Sequence, residues 1–108
     1  MNRLKTIKEW NALLENSDGQ PLLLFKLSVT SLSSVTAKKE MESLVTELPI
    51  YVVIVQMDKK ISNAVEADTG VKHETPQVLI IKDKKAIWQA THYQIKQSIV
   101  LDAIETYC

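Results

Sequence analysis

Residues 21–34 read Pro-Leu-Leu-Leu-Phe-Lys-Leu-Ser-Val-Thr-Ser-Leu-Ser-Ser: an apolar run that breaks into a hydroxyl-rich turn and leads on towards a helix. The run Pro21–Leu27 has the character of a strand buried on both faces. Ser28 to Ser34 form the turn that leaves it, and Ser33 or Ser34 can cap the helix that follows. In an open α/β sheet, sites form beyond the carboxyl ends of the strands. This turn is therefore the first place to look for chemistry.

Working outward, Ile7, Trp10, Leu13 and Leu14 recur at helical spacing, with Thr6 and Glu9 forming a capping box and Asn16-Ser17-Asp18-Gly19 as the stop. The helix after Ser34 is expected to run to about Leu48, with Val35, Ala37, Met41, Leu44, Val45 and Leu48 as its apolar stripe and Pro49 as its end. Tyr51–Met57 reads as a second buried strand, rich in β-branched residues. Ile61, Ala64, Val65 and Val71 suggest a short helix closed near Gly70. Gln77–Lys82 and Ala86–Ala90 are strands joined by the polar Asp83-Lys84-Lys85, hence an antiparallel hairpin. A last helix carries Ile95, Ile99, Leu101, Ala103 and Ile104. The order α-β-α-β-α-β-β-α gives an α/β protein with a central four-stranded mixed sheet flanked by helices, the thioredoxin-like architecture. Strands joined through a helix must run parallel.

At 108 residues the chain fits one domain, residues 1–108, with its own core. Apolar residues make up 45% and charged residues 24%, and 13 basic side chains balance 13 acidic ones. That balance argues against nucleic acid or an anionic membrane as partner. No apolar run approaches the roughly 20 residues that span a bilayer. Met1–Lys5 lead into no apolar segment of the kind a signal peptide needs, so the cytoplasm is the expected location. The one cysteine, Cys108, can form no internal disulfide or thiolate metal site, and two histidines without a further ligand pattern do not suggest zinc. Cys108 is either an incidental thiol or one used between molecules.

A thiol in the turn after the first buried strand, at a helix N-terminus, would have a lowered pKa. A hydroxyl gains nothing comparable, and the plain role of these serines and threonines is capping and turning. Serine nucleophiles need a base and an orienting partner. Only His73 and His92 are available, and no Gly-x-Ser-x-Gly elbow is present. The second signal is His73-Glu74-Thr75-Pro76-Gln77, immediately before a strand. Pro76 belongs at the strand's start. In a thioredoxin-like fold the Thr75–Pro76 bond is expected to be cis and to face the turn, presenting backbone to an extended peptide. His73 and Glu74 are either solvated or help to bind a small polar thiol. His92 either caps the last helix or packs against Trp88.

The stretches Leu24–Thr30, Val71–Gln77 and Trp88 with Thr91-His92 and Ile95 resemble the YtxJ-like bacilliredoxins, and the resemblance runs through nearly the whole chain. That family typically reads Lys-His-Ser-x-Thr-Cys-Pro-Ile-Ser in the first stretch and Val-Lys-His-Glu-Ser-Pro-Gln in the second. The resemblance implies thiol-disulfide redox work with no resident cofactor. The family's cysteine takes bacillithiol, the co-substrate, from a client protein's mixed disulfide. Implied partners are bacillithiolated clients or bacillithiol itself, and the expected state is a monomer. Here Lys26, Ser28, Thr30 and Ser34 match, but Ser31 stands at the family cysteine, Leu32 at the proline, Ser33 at the isoleucine and Leu27 at the histidine. The resemblance makes Ser31 the catalytic position, with Lys26, Thr30, Ser34, His73, Glu74, Thr75 and Pro76 around it. Serine forms no disulfide, so the usual exchange is expected to be absent or altered. The alternative is a redox-inactive module that binds a peptide or a low-molecular-weight thiol.

Overall fold

The computed structural model describes all residues, Met1–Cys108. Its elements run β1 (Asn2–Arg3), α1 (Ile7–Glu15), β2 (Leu22–Leu27), α2 (Leu32–Glu42), β3 (Ile50–Ile54), α3 (Lys59–Thr69), β4 (Gln77–Lys82), β5 (Lys85–Thr91), a 3-10 turn at His92–Gln94, and α4 (Gln97–Tyr107). The strands form one sheet in the order β1-β3-β2-β4-β5. β2 pairs parallel with β3 and antiparallel with β4, and β4 pairs antiparallel with β5. No helix is long and apolar enough to cross a membrane.

The alternation of β2 explains why it lacks a polar face. Leu23, Phe25 and Leu27 pack with Ala37, Met41, Val100 and Ala103, under α2 and α4. Leu22 and Leu24 pack with Trp10, Ile61 and Val65, under α1 and α3. Successive side chains point to opposite faces and both faces are covered, so every step is buried and apolar except Lys26, whose ammonium is satisfied by Gln77. Trp10 is fully buried, and its indole N–H donates to Asp68 at 2.7 Å.

Three expectations about the elements change. A fifth strand is present: Asn2 and Arg3 pair parallel with Tyr51 and Val52. Two residues are too few to show a period, and their hold is tertiary. Leu4 N–H donates to Val52 O, and the Arg3 guanidinium makes a two-point contact with the Asp58 carboxylate at 2.9 and 3.1 Å. Helix α2 ends at Glu42, not near Leu48. Its buried positions are Ser34, Ala37 and Met41, followed by Leu44, whereas Val35 and Val45 stand in solvent. Leu48 precedes Pro49 and is pushed out of the helical region by the ring. Thr46 Oγ1 then accepts the Leu48 N–H, turning the chain towards β3. The cap of α2 is Ser31, not Ser33 or Ser34.

The β4–β5 hairpin forms as expected, through Asp83 and Lys84, both at positive φ (53° and 63°). This two-residue geometry suits the strand twist but favours Gly or Asn. Buried Ser17 supports the turn: its carbonyl accepts from Asp83 N–H and its Oγ accepts from Lys84 N–H.

Candidate functional site

The turn after β2 is built on its own hydroxyls. Ser31 has extended backbone angles at the N-cap of α2, and its Oγ accepts the Ser34 N–H at 3.3 Å. That satisfies one of the amides a helix start leaves free. Ser31 Oγ also lies 2.8 Å from Ser33 Oγ. Buried Ser34 accepts the Ser28 N–H at 3.0 Å through its own Oγ, closing the turn back onto the end of β2. Gln56, after β3, stitches the other side: its amide donates to Ser28 Oγ and Thr30 Oγ1, and its oxygen accepts Val29 N–H. The sequence reading missed Gln56, an exposed residue past the end of a strand with no local pattern to mark it.

Both hydrogen-bond partners of Ser31 Oγ are local, one hydroxyl and one amide, and neither is a base. His73 is instead engaged with Ser62, its Nδ1 3.1 Å from the Ser62 hydroxyl. His92 does not cap α4, whose N-cap is Lys96. It begins the 3-10 turn at φ 50°, and its N–H donates to Pro76 O at 3.0 Å. Nothing activates Ser31 as a nucleophile.

Buried Pro76 follows a cis Thr75–Pro76 bond and precedes β4. The antiparallel register sets Lys26 opposite Gln77, so Pro76 lies at the end of the sheet from which the Ser28–Ser31 turn departs. Ser31, Thr30 and Ser34 therefore share that end with Thr75 and Pro76. The backbone N–H and C=O of half-buried Thr75 take part in no hydrogen bond within the chain. Val29, Leu32 and Val35, around Ser31, are exposed, Leu32 to 83%.

Lys26 and His73 belong to a different arrangement, beneath Pro76 on the α3 face. Lys26 is wholly buried, and its Nζ donates to Gln77 Oε1 at 3.1 Å. Gln77 Nε2 donates onward to Gln89 Oε1 at 2.7 Å and Lys72 O at 3.1 Å. Burial lowers the Lys26 pKa to about 8, against the opposing pull of Glu66 and Glu74. The His73 pKa is also lowered, first by desolvation and then by the Lys26 charge. Glu66 accepts the His73 N–H at 2.6 Å, fixing the strap that leads to Pro76. Gln77 was visible in the sequence as a polar residue opening an apolar strand, yet its partner could not be read there.

Cys108 is remote from this end of the molecule. Tyr107 O lies 3.5 Å from Lys82 Nζ, at the far end of β4 from Gln77. Five residue steps of strand separate those ends by about 17 Å. Cys108 is exposed and free. No group of three or more His, Cys, Asp or Glu side chains is arranged to hold a metal ion.

Comparison with known proteins agrees with the architecture and adds a family. The family described as monothiol bacilliredoxin BrxC matches residues 2–100. Among solved structures, one described as a candidate oxidoreductase with a thioredoxin fold superposes with a TM-score of 0.85 at 24% identity, covering 95% of this chain and 92% of that one. Fasciola hepatica thioredoxin superposes at 0.78 with 14% identity over 100% of both chains. A variant Halobacterium salinarum thioredoxin gives 0.78 with 15% identity, over 98% of this chain and 88% of that one. At these identities the structures speak to fold alone: the chain has the thioredoxin-like fold.

Proposed function

This chain belongs to the monothiol bacilliredoxin family, and from that premise we propose that it is a thiol-redox protein whose site at Ser31 engages bacillithiol or bacillithiolated clients without forming a disulfide at that position. The observation that carries the reading is Ser31 itself. It occupies the N-cap of α2, where a cysteine sulfur would receive the Ser34 N–H and the partial positive charge of the helix start. Thiol exchange needs a sulfur nucleophile and a sulfur leaving group. An oxygen at this position cannot displace bacillithiol from a client sulfur to form a disulfide.

Binding is a separate matter. The unpaired backbone of Thr75 is suited to pairing with an extended segment. The exposed Val29, Leu32 and Val35 supply apolar contact beside it. The reading is therefore a retained docking surface around an inert centre.

The test is release of bacillithiol from a bacillithiolated model client. The Cys108→Ala protein should release none above the rate without protein. The parent should release it, at most, at the rate of an ordinary exposed thiol. Release by Cys108→Ala that rises in proportion to its concentration would overturn the proposal.

A further inference from the structure

Beside Pro76 a cavity of about 350 Å³ is lined by Lys72, Glu74, Gln89, Ala90, Thr91 and Gln94. Lys72 and Glu74, two apart on the irregular strap before β4, both line the cavity, while His73 between them turns to Ser62. The two charged groups are not paired with each other or with any other ion.

The orientation of the two glutamines follows from a chain of obligate donors. The Lys26 ammonium can only donate, so Gln77 must turn its oxygen to it. The Gln77 amide NH2 then faces Gln89, which must answer with its own oxygen. The Gln89 NH2 is left to the cavity. At the other wall the Thr91 N–H donates to Gln94 Oε1, leaving the Gln94 NH2 outward as well. The turn that carries Thr91 and Gln94 holds His92 at φ 50°, in the sparsely populated left-handed region, and the His92 N–H donates to Pro76 O.

Three free donors, one of them cationic, and one free carboxylate thus face a common space. We infer that this cavity is a recognition site for a small zwitterion of the amino-acid or short-peptide type. Lys72, Gln89 and Gln94 take its carboxylate, and Glu74 takes its ammonium group. The volume falls within the range of small-molecule sites. The inference rests on the proposed function in one respect: it supplies the amino-acid-recognising groups for a thiol compound at this end of the sheet.

The test uses S-methylglutathione, a zwitterionic tripeptide whose capped sulfur cannot exchange, with the amides of the full chain followed by NMR. Saturable shifts are expected at Lys72, Gln89, Thr91 and Gln94 below about 10 mM, the weak regime suited to a half-open polar site. Lys72→Gln and Glu74→Gln should each weaken binding about fivefold, the scale of a partly exposed charged contact. N-acetylation of the probe should weaken it likewise, and Glu74→Gln should then cost nothing further. No saturable shift at these residues, or a Glu74→Gln effect that persists undiminished with the acetylated probe, would overturn the inference. Because the probe cannot form a disulfide, its failure to bind would leave the account of Ser31 standing, and client release by Cys108→Ala would leave this site standing.

Discussion

In a Cys108→Ala background, Ser31→Cys is expected to create a thiol that ionises about one pH unit below an unstructured cysteine of the same local sequence. The cause is already in place. The Ser31 side chain accepts the Ser34 N–H at the first turn of an eleven-residue helix. A thiolate there gains the hydrogen bond and the helix-end field, and both favour the charged form. Leu32 beside it is exposed, and besides the cap the substitution alters the 2.8 Å contact of the Ser31 side chain with Ser33 Oγ. Alkylation by iodoacetamide across pH 5 to 10, beside a synthetic peptide spanning residues 28–34 with the same change, gives both midpoints. Near pH 7 the variant should react about threefold faster than the peptide, the gain in thiolate fraction being partly offset by lower nucleophilicity. Coincident midpoints would show that the turn does not favour a thiolate.

A second large effect is expected at Lys26, with a reversal in pH. The lysine is fully buried, and its pKa is lowered from 10.5 to about 8, mainly by desolvation. Below pH 8 the folded protein carries the cost of a buried charge. Between pH 8 and 10.5 the unfolded chain binds more protons than the folded one, so this residue's contribution to stability rises with pH. The rise amounts to about 3 kcal/mol, at roughly 1.4 kcal/mol per pH unit. Lys26→Met removes both the charge and the donor to Gln77. At pH 7 relief from the buried charge and loss of a satisfied Gln77 oxygen oppose each other at about 1–3 kcal/mol each, leaving a small net change. At pH 10.5 only the loss remains, and the variant should be clearly the less stable. Urea unfolding of both proteins across this range isolates the difference from every other titrating group. A parent-minus-variant difference that stays flat with pH would mean that Lys26 is not held in a desolvated state.

Such effects mark where a sequence can and cannot be read. The run from Pro21 to Leu27 declared its strand because burial on two faces favours apolar residues at each step, with Lys26 the one exception, and the hydroxyl-rich turn declared itself as a helix start. Which serine caps the helix was not legible. Ser31, Ser33 and Ser34 are equally good caps by type, and only the path of the chain chose Ser31. Helix α2 was drawn too long for a related reason. Val45 and Leu48 fit a helical stripe by spacing, but Leu48 answers to Pro49, and Val45 ends 87% exposed. Strand β1 was invisible because two residues have no period; its pairing comes from β3 and Asp58. The site shows the same division. Ser31 and Thr75-Pro76 stood out as local motifs. The line from Lys26 through Gln77 to Gln89 joins three strands, and no local pattern encodes it. Lys26 and His73 were grouped with Ser31 by family likeness, whereas they belong to the network under Pro76.

Intact-mass spectrometry after incubation with oxidised bacillithiol, on Cys108→Ala and on Cys108→Ala carrying Ser31→Cys, weighs the role of residue 31 in a single comparison. The expected outcome is no added mass on the first protein and one bacillithiol on the second. A bacillithiol adduct on the protein that retains Ser31, or none on the cysteine variant, would contradict the account of a thiol site that holds an alcohol.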